Sequence, residues 1–109
     1  MPGLVDAHAH GAYGVGDLIP QQNWSLLQDL AMGVTTVHNP SSQASTVFAA
    51  AERQRAGLTT GPRIFSTGEI IYGAKAPDVY ARIDSYEDAL AHVRRIKAQG
   101  GISVKNYNQ

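Results

Sequence analysis

An α/β fold with parallel strands is what this sequence predicts, and three observations carry the prediction. Four short runs rich in apolar and β-branched residues alternate with three segments whose apolar residues recur at helical spacing. The units repeat at roughly thirty-residue intervals, the length of a strand–helix–strand unit. Glycines stand where the helical stripes stop, as the left-handed turn at a helix end requires.

The first strand is expected over residues 4–10. The first helix carries Trp24, Leu27, Leu30 and Ala31 on one face and ends at Gly33. Val34-Thr35-Thr36-Val37-His38 reads as the second strand. Val47, Ala50, Ala51 and Gln54 mark a second helix closed by Gly57. Gly61-Pro62 is turn punctuation before a third strand, Arg63-Ile64-Phe65-Ser66-Thr67. The third helix is expected over 85–99, with Ser85 as N-cap, Glu87 and Asp88 in its first turn, and Arg94, Arg95 and Lys97 towards its end. That charge order suits the helix dipole. Tyr86, Leu90, Val93 and Ile96 form its apolar stripe, and Gly100-Gly101 stops it. The fourth strand is expected over 102–105, and residue 109 follows shortly.

Bulk properties narrow the function classes. The chain has 109 residues, 43% of them hydrophobic and 17% charged, a composition of a folded domain rather than a disordered segment. Nine basic and nine acidic side chains balance, and no basic stripe occurs, which argues against a nucleic-acid partner. No apolar run approaches the ~20 residues of a membrane span, and no signal segment is recognisable, so compartment stays open. Cysteine is absent, which excludes disulfides and thiolate metal sites.

The sharpest chemical feature is His8-Ala9-His10. Imidazoles two apart on a strand point to one face and can grip one divalent ion there. Alone, the pattern is more often that of a solvated strand face. Its context is more specific: the small Ala9 leaves room around the rings, and Asp6 can act as a hydrogen-bonding support behind the ligands. Thr36 and His38 share a face of the second strand, and Ser103 and Lys105 a face of the fourth. Four strands and three helices could form a small open sheet. Polar faces gathered at the C-terminal ends of several strands favour half of an eight-stranded barrel, where they would line the mouth.

Other readings are weaker. His38 could contact substrate or bond the following loop, and the two stand level. His92 reads as solvated helix surface. Tyr72 and Tyr107 could line a pocket or simply pack. The glycine-rich run from Gly11 to Gly16 lacks the G-x-G-x-x-G order of a nucleotide loop, and neither a Walker loop nor a nucleophile elbow occurs.

Pro2-Gly3-Leu4-Val5-Asp6-Ala7-His8-Ala9-His10 resembles the first-strand signature of the amidohydrolase superfamily. Gly33-Val34-Thr35-Thr36-Val37, Gly61-Pro62-Arg63-Ile64-Phe65-Ser66-Thr67-Gly68 and Ser103-Val104-Lys105 resemble its second, third and fourth strands. The imidazolonepropionase-like branch is the nearest likeness. The ending Val104-Lys105-Asn106-Tyr107-Asn108-Gln109 is similar to that stretch in amidohydrolases attached to TolB-type propellers. The order and spacing of the four motifs span nearly the whole chain.

The resemblance implies a partial TIM (β/α)₈ barrel, strands 1–4 with three connecting helices, with residues 1–109 as the first half of the barrel domain. It implies a metal-dependent hydrolase of C–N bonds in amides, cyclic amides or peptide-like substrates. His8 and His10 would bind the first of two divalent ions, most plausibly zinc. Lys105 would bridge the two ions as a carbamate formed with carbon dioxide, although some branches place another acidic group there. His38 departs from the branch, which often has arginine at that position. Two further histidines and the general-base aspartate would lie on later strands, so no catalytic residue is assigned within 1–109. The alternative is a non-catalytic α/β module, or a half-barrel that pairs with a partner without chemistry. Expected partners are a small amide or peptide-like substrate, with neither nucleic acid nor membrane. The 109 residues by themselves are expected to be inactive and to self-associate through open edges.

Overall fold

The computed structural model describes residues 1–15, 18–73 and 80–107. Its elements are β1 (Leu4–Asp6), α1 (Trp24–Ala31), β2 (Val34–Asn39), α2 (Ala44–Arg55), β3 (Arg63–Ser66), β4 (Ile70–Tyr72), β5 (Tyr80–Arg82) and α3 (Tyr86–Ala98). The first three strands form a parallel sheet in the order β1-β2-β3, and β4 and β5 form a second parallel pair. The architecture is therefore mixed α/β with parallel strands.

Local chemistry explains the helix ends. Asn23 caps α1, its side-chain oxygen accepting from the Ser25 and Leu26 N–H groups at 3.1 and 3.4 Å. Ser85 caps α3 through the Asp88 N–H at 3.0 Å, as the sequence predicts. Gly33, Gly57 and Gly100 follow the three helices with φ of 85°, 74° and 98°, a region closed to most side chains. At α2 the residue in the N-cap position, Gln43, makes no capping bond with its side chain. The first helical N–H, from Ala44, donates instead to the Glu69 carboxylate at 3.1 Å.

The core lies between the sheet and its helices. Val37 of β2, Ile64 of β3, Leu26 of α1 and Val47, Ala50 and Ala51 of α2 are buried together with Tyr13. Alanines on α2 let that helix sit close against β2 and β3, so Val47 is completely buried. Each buried Val, Leu or Ile side chain stabilises the fold by about 1.5–3 kcal/mol, and each alanine by less.

Four expectations need correction, the first being the face of α1, where Leu26 is buried and Trp24 is 82% exposed. No regular strand forms over 102–105. That segment instead runs beside β4: Ile71 donates to the Lys105 carbonyl at 2.8 Å, Tyr107 donates to the Ile71 carbonyl at 3.3 Å, and Ile71 bridges Asn106 in parallel. Alternation survives there, with Ser103 and Lys105 half-buried and Ile102 and Val104 exposed. The first strand is shorter than expected, because the chain bends at Ala7 and His8. The buried face of α3 is also turned. His92 and Ile96 are buried, whereas Tyr86 is 74% exposed. Ile96 packs against Gly68 and Gly101, where there is no side chain to block it, and one helical turn earlier that same line carries His92. Val93 lines an apolar groove of about 500 Å³ with Ile102 and Val104. No described helix is long and apolar enough to cross a membrane.

Candidate metal centre

The bend after β1 builds the histidine pair. The Asp6 carboxylate accepts the His8 backbone N–H at 3.0 Å, closing a tight side-chain turn. The chain then returns to the sheet, where Ala9 donates to the His38 carbonyl of β2 at 3.0 Å. His8 and His10 flank this anchored residue at the C-terminal end of the parallel sheet. Their ring centroids are 5.2 Å apart and the planes are inclined at 80°. Both side chains are exposed. The common face predicted for a flat strand is thus reached through a turn.

That spacing fits a shared ion. Zinc bound through one imidazole nitrogen lies ~3.2 Å from the ring centre, so two rings at a tetrahedral angle have centres ~5.2 Å apart. Two imidazoles supply two donors of the four that a zinc site needs. Among the described residues no group of three or more His, Cys, Asp or Glu gathers around a common point. Asp6 accepts the His8 backbone N–H through one carboxylate oxygen.

Lys105 sits on the segment beside β4. Its Nζ lies 5.2 Å from the centre of the Tyr107 ring, a cation–π contact, and Tyr107 in turn meets Tyr72 edge-on at 5.7 Å. The two tyrosines pack on each other, and Tyr107 covers the amine. Among the described residues no hydrogen bond joins Lys105 to His8 or His10. His38 connects the two regions: its Nε2 and the Ser103 Oγ share a hydrogen bond at 2.7 Å.

Sequence reasoning missed the buried contacts of the loop that follows the histidines. Tyr13, only 3% exposed, is hydrogen-bonded to the side chain of Asn39 at the end of β2. Burial, opposed by that bond and reinforced by the carboxylates of Asp29 and Asp6, pushes its phenol up to about 12. Asp29 on α1 is itself raised above the usual carboxylate range by burial and by Asp6. Asn39 also accepts the Ser41 N–H at 3.0 Å, and Asn23 donates to the Ala12 carbonyl at 2.6 Å. Ala12 and Tyr13 of the loop after His10 are thereby held to Asn23 and Asn39. Its glycines answer to packing: a Cβ at Gly11 would lie 2.8 Å from the Tyr13 ring and one at Gly14 2.6 Å from the Leu18 carbonyl. Gly16 lies outside the described residues. Local signals existed for the two asparagines, since Asn23 immediately precedes a helical stripe and Asn39-Pro40-Ser41-Ser42 is a turn sequence. No local signal marks the partner of Tyr13.

His92, expected on the surface, is 5% exposed. Burial and the neighbouring Arg95 guanidinium, which donates to Nδ1 at 2.7 Å, lower its pKa, while Glu69 acts in the opposite direction.

Solved structures share this fold. A bottromycin amidohydrolase matches 99% of the chain with a TM-score of 0.76 and 27% identity, over 22% of its own length. A Xaa-Pro dipeptidase with methionine bound in its active site matches 96% with a TM-score of 0.63 and 22% identity, over 33% of its length. A prolidase complexed with N-methylphosphonate-L-proline matches 97% with a TM-score of 0.67 and 20% identity, again over 33% of its length. The chain thus spans between about a fifth and a third of the proteins it matches. No family model and no curated protein matches it.

Proposed function

We propose, from the fold that this chain shares over nearly its whole length with members of the amidohydrolase superfamily, that it is the opening part of a metal-dependent amidohydrolase. The observation that carries the reading is the His8–His10 pair, held at the C-terminal end of a parallel sheet with ring centres 5.2 Å apart. In this reading β1, β2 and β3 are the first strands of a (β/α)₈ barrel, and residues 102–107 take the fourth position. The reaction class is hydrolysis of a C–N bond in a small amide, cyclic amide or peptide-like substrate.

His8 and His10 would hold the first of two divalent ions, with zinc the best fit to two imidazole nitrogens. Lys105 would supply an oxygen donor after its neutral amine adds to carbon dioxide, forming an N–C bond and releasing one proton to give the carbamate. When bound, the ions lower the pKa of a coordinated water and polarise the scissile carbonyl. The chain's own residues do the positioning. Asp6 fixes the turn at His8, Ala9 ties the backbone between the two histidines to β2, and Tyr13 with Asn39 and Asn23 holds the loop that follows. The remaining ligands and the proton-transferring aspartate are proposed to come from outside these 109 residues, as the share of the matched proteins suggests.

The test is zinc stoichiometry in the full-length protein, measured after dialysis. His8→Ala/His10→Ala is expected to lose tightly bound zinc together with amidase activity. Unchanged zinc content in that double variant overturns the ligand assignment.

The exposed apolar residues favour a companion reading for the isolated segment. Leu4 and Val5 on the edge strand β1 are 52% and 67% exposed, and Ile102 is 68% exposed. Such edges pair with other chains when nothing covers them. The 109 residues alone are therefore expected to elute above monomer size in gel filtration. A stable monomer refutes this.

A further inference from the structure

We infer that His38 is the positioning residue that couples the histidine pair to the Lys105 segment, an inference that rests on the metal-centre reading above. His38 sits near the C-terminal end of β2 and makes two contacts in opposite directions. Its backbone carbonyl accepts the N–H of Ala9, the residue between His8 and His10. Its ring shares a 2.7 Å hydrogen bond with Ser103, 65 positions later and two residues before Lys105. One residue thus touches both of the short segments that carry proposed ligands.

The rest of the molecule leaves this task to His38. Among the described residues, the other hydrogen bonds of the 102–107 segment run to Ile71 of β4, which is not part of the three-stranded sheet. The His38–Ser103 bond is what ties that segment to the sheet bearing His8 and His10. Ser103 and Lys105 are the half-buried residues of the alternating pattern, while Ile102 and Val104 face outward. Residues two apart in extended chain share a face, so fixing Ser103 fixes the side from which Lys105 projects. A slip of one residue would turn Lys105 away and bring Val104 or Asn106 to that side. His38 is rigid enough to serve: its backbone is held in the β2–β3 ladder opposite Phe65.

The experiment uses the full-length protein and zinc alone as probe, with affinity read by competition against a chromophoric chelator. The variants are His38→Phe, which keeps ring volume without a hydrogen bond, His38→Gln, whose amide reaches the place of Nε2, Ser103→Ala, and the double variant His38→Phe/Ser103→Ala. Outer supports of metal sites are typically worth about 10–100-fold in affinity, and His38→Phe and Ser103→Ala are each expected to lose that much. The double variant is expected to be no worse than the poorer single one, because both remove the same bond. His38→Gln should restore affinity to within about threefold, and cobalt substituted for zinc should show a changed visible spectrum in His38→Phe and Ser103→Ala but not in His38→Gln. Wild-type affinity in Ser103→Ala, or losses that multiply in the double variant, overturns the inference. If His38→Phe does not fold, Ser103→Ala, which removes one hydroxyl, decides. Zinc binding that depends on His8 and His10 yet ignores His38 and Ser103 sinks this inference alone. Zinc binding indifferent to His8 and His10 sinks the metal-centre reading itself.

Discussion

Replacing Glu69 with alanine tests how the fold holds α2 against α3. One carboxylate oxygen accepts the Ala44 N–H at 3.1 Å, and the other lies 3.4 Å from the Arg95 guanidinium. The Glu69 side chain is 19% exposed and that of Arg95 51%, so the two halves of the interaction differ in worth. Ala44 is 2% exposed, and the variant would leave the first N–H of α2 buried without this partner. An unsatisfied buried donor costs about 1–3 kcal/mol. Loss of negative charge at a helix N-terminus adds about 0.3–1 kcal/mol. The long, half-exposed pair with Arg95 contributes at most about 0.5 kcal/mol. These contributions overlap, and Glu69→Ala is expected to destabilise by about 2–3 kcal/mol in urea unfolding at neutral pH. Glu69→Gln keeps an acceptor for Ala44 and should cost about 1 kcal/mol, and Arg95→Ala less than that. A loss below about 0.5 kcal/mol in Glu69→Ala would refute the assignment of Glu69 as the cap of α2.

Further outcomes follow from the same contacts. The Tyr13 phenol ionises near 10 when unfolded and about 12 when folded, so its contribution is intact below 10 and declines as pH rises towards 12. Tyr13→Phe should flatten that alkaline decline in urea unfolding curves, and an unchanged alkaline limb would contradict the burial of the phenol. The His92 ring is held below its ordinary 6.5 by burial and Arg95, so the unfolded chain takes up its proton first as pH falls. Stability is therefore fully present above 6.5 and declines below it, and His92→Gln should weaken that acid decline. Gly68 has φ of 66°, and a Cβ there would lie 2.6 Å from Ile96 Cδ1. Gly68→Ala is expected to cost at least about 2 kcal/mol by thermal or urea unfolding, and a neutral substitution would refute the tight packing.

Much of the fold was legible from the sequence because it depends on neighbours along the chain. Ser85 and the glycines at 33, 57 and 100 act within a few residues of themselves, and the three helices fall where they point. β2 and β3 were equally legible, since Val37 and Ile64 lie in short apolar runs bounded by turn residues. The histidine pair was visible as a motif, and its shared face survives although a turn at Asp6 replaces a straight strand.

The sequence by itself determined the local pieces: parallel α/β units, the helix ends marked by Ser85 and the glycines, and two imidazoles set side by side. Only tertiary structure decided which side of α3 is buried, that residues 102–107 lie beside Ile71, that Tyr13 reaches Asn39, and that His38 reaches Ser103. The physical reason is sequence separation. A cap or a glycine turn is set by interactions a few residues long, whereas the His38–Ser103 bond joins residues 65 apart and exists only once the whole sheet has folded around it.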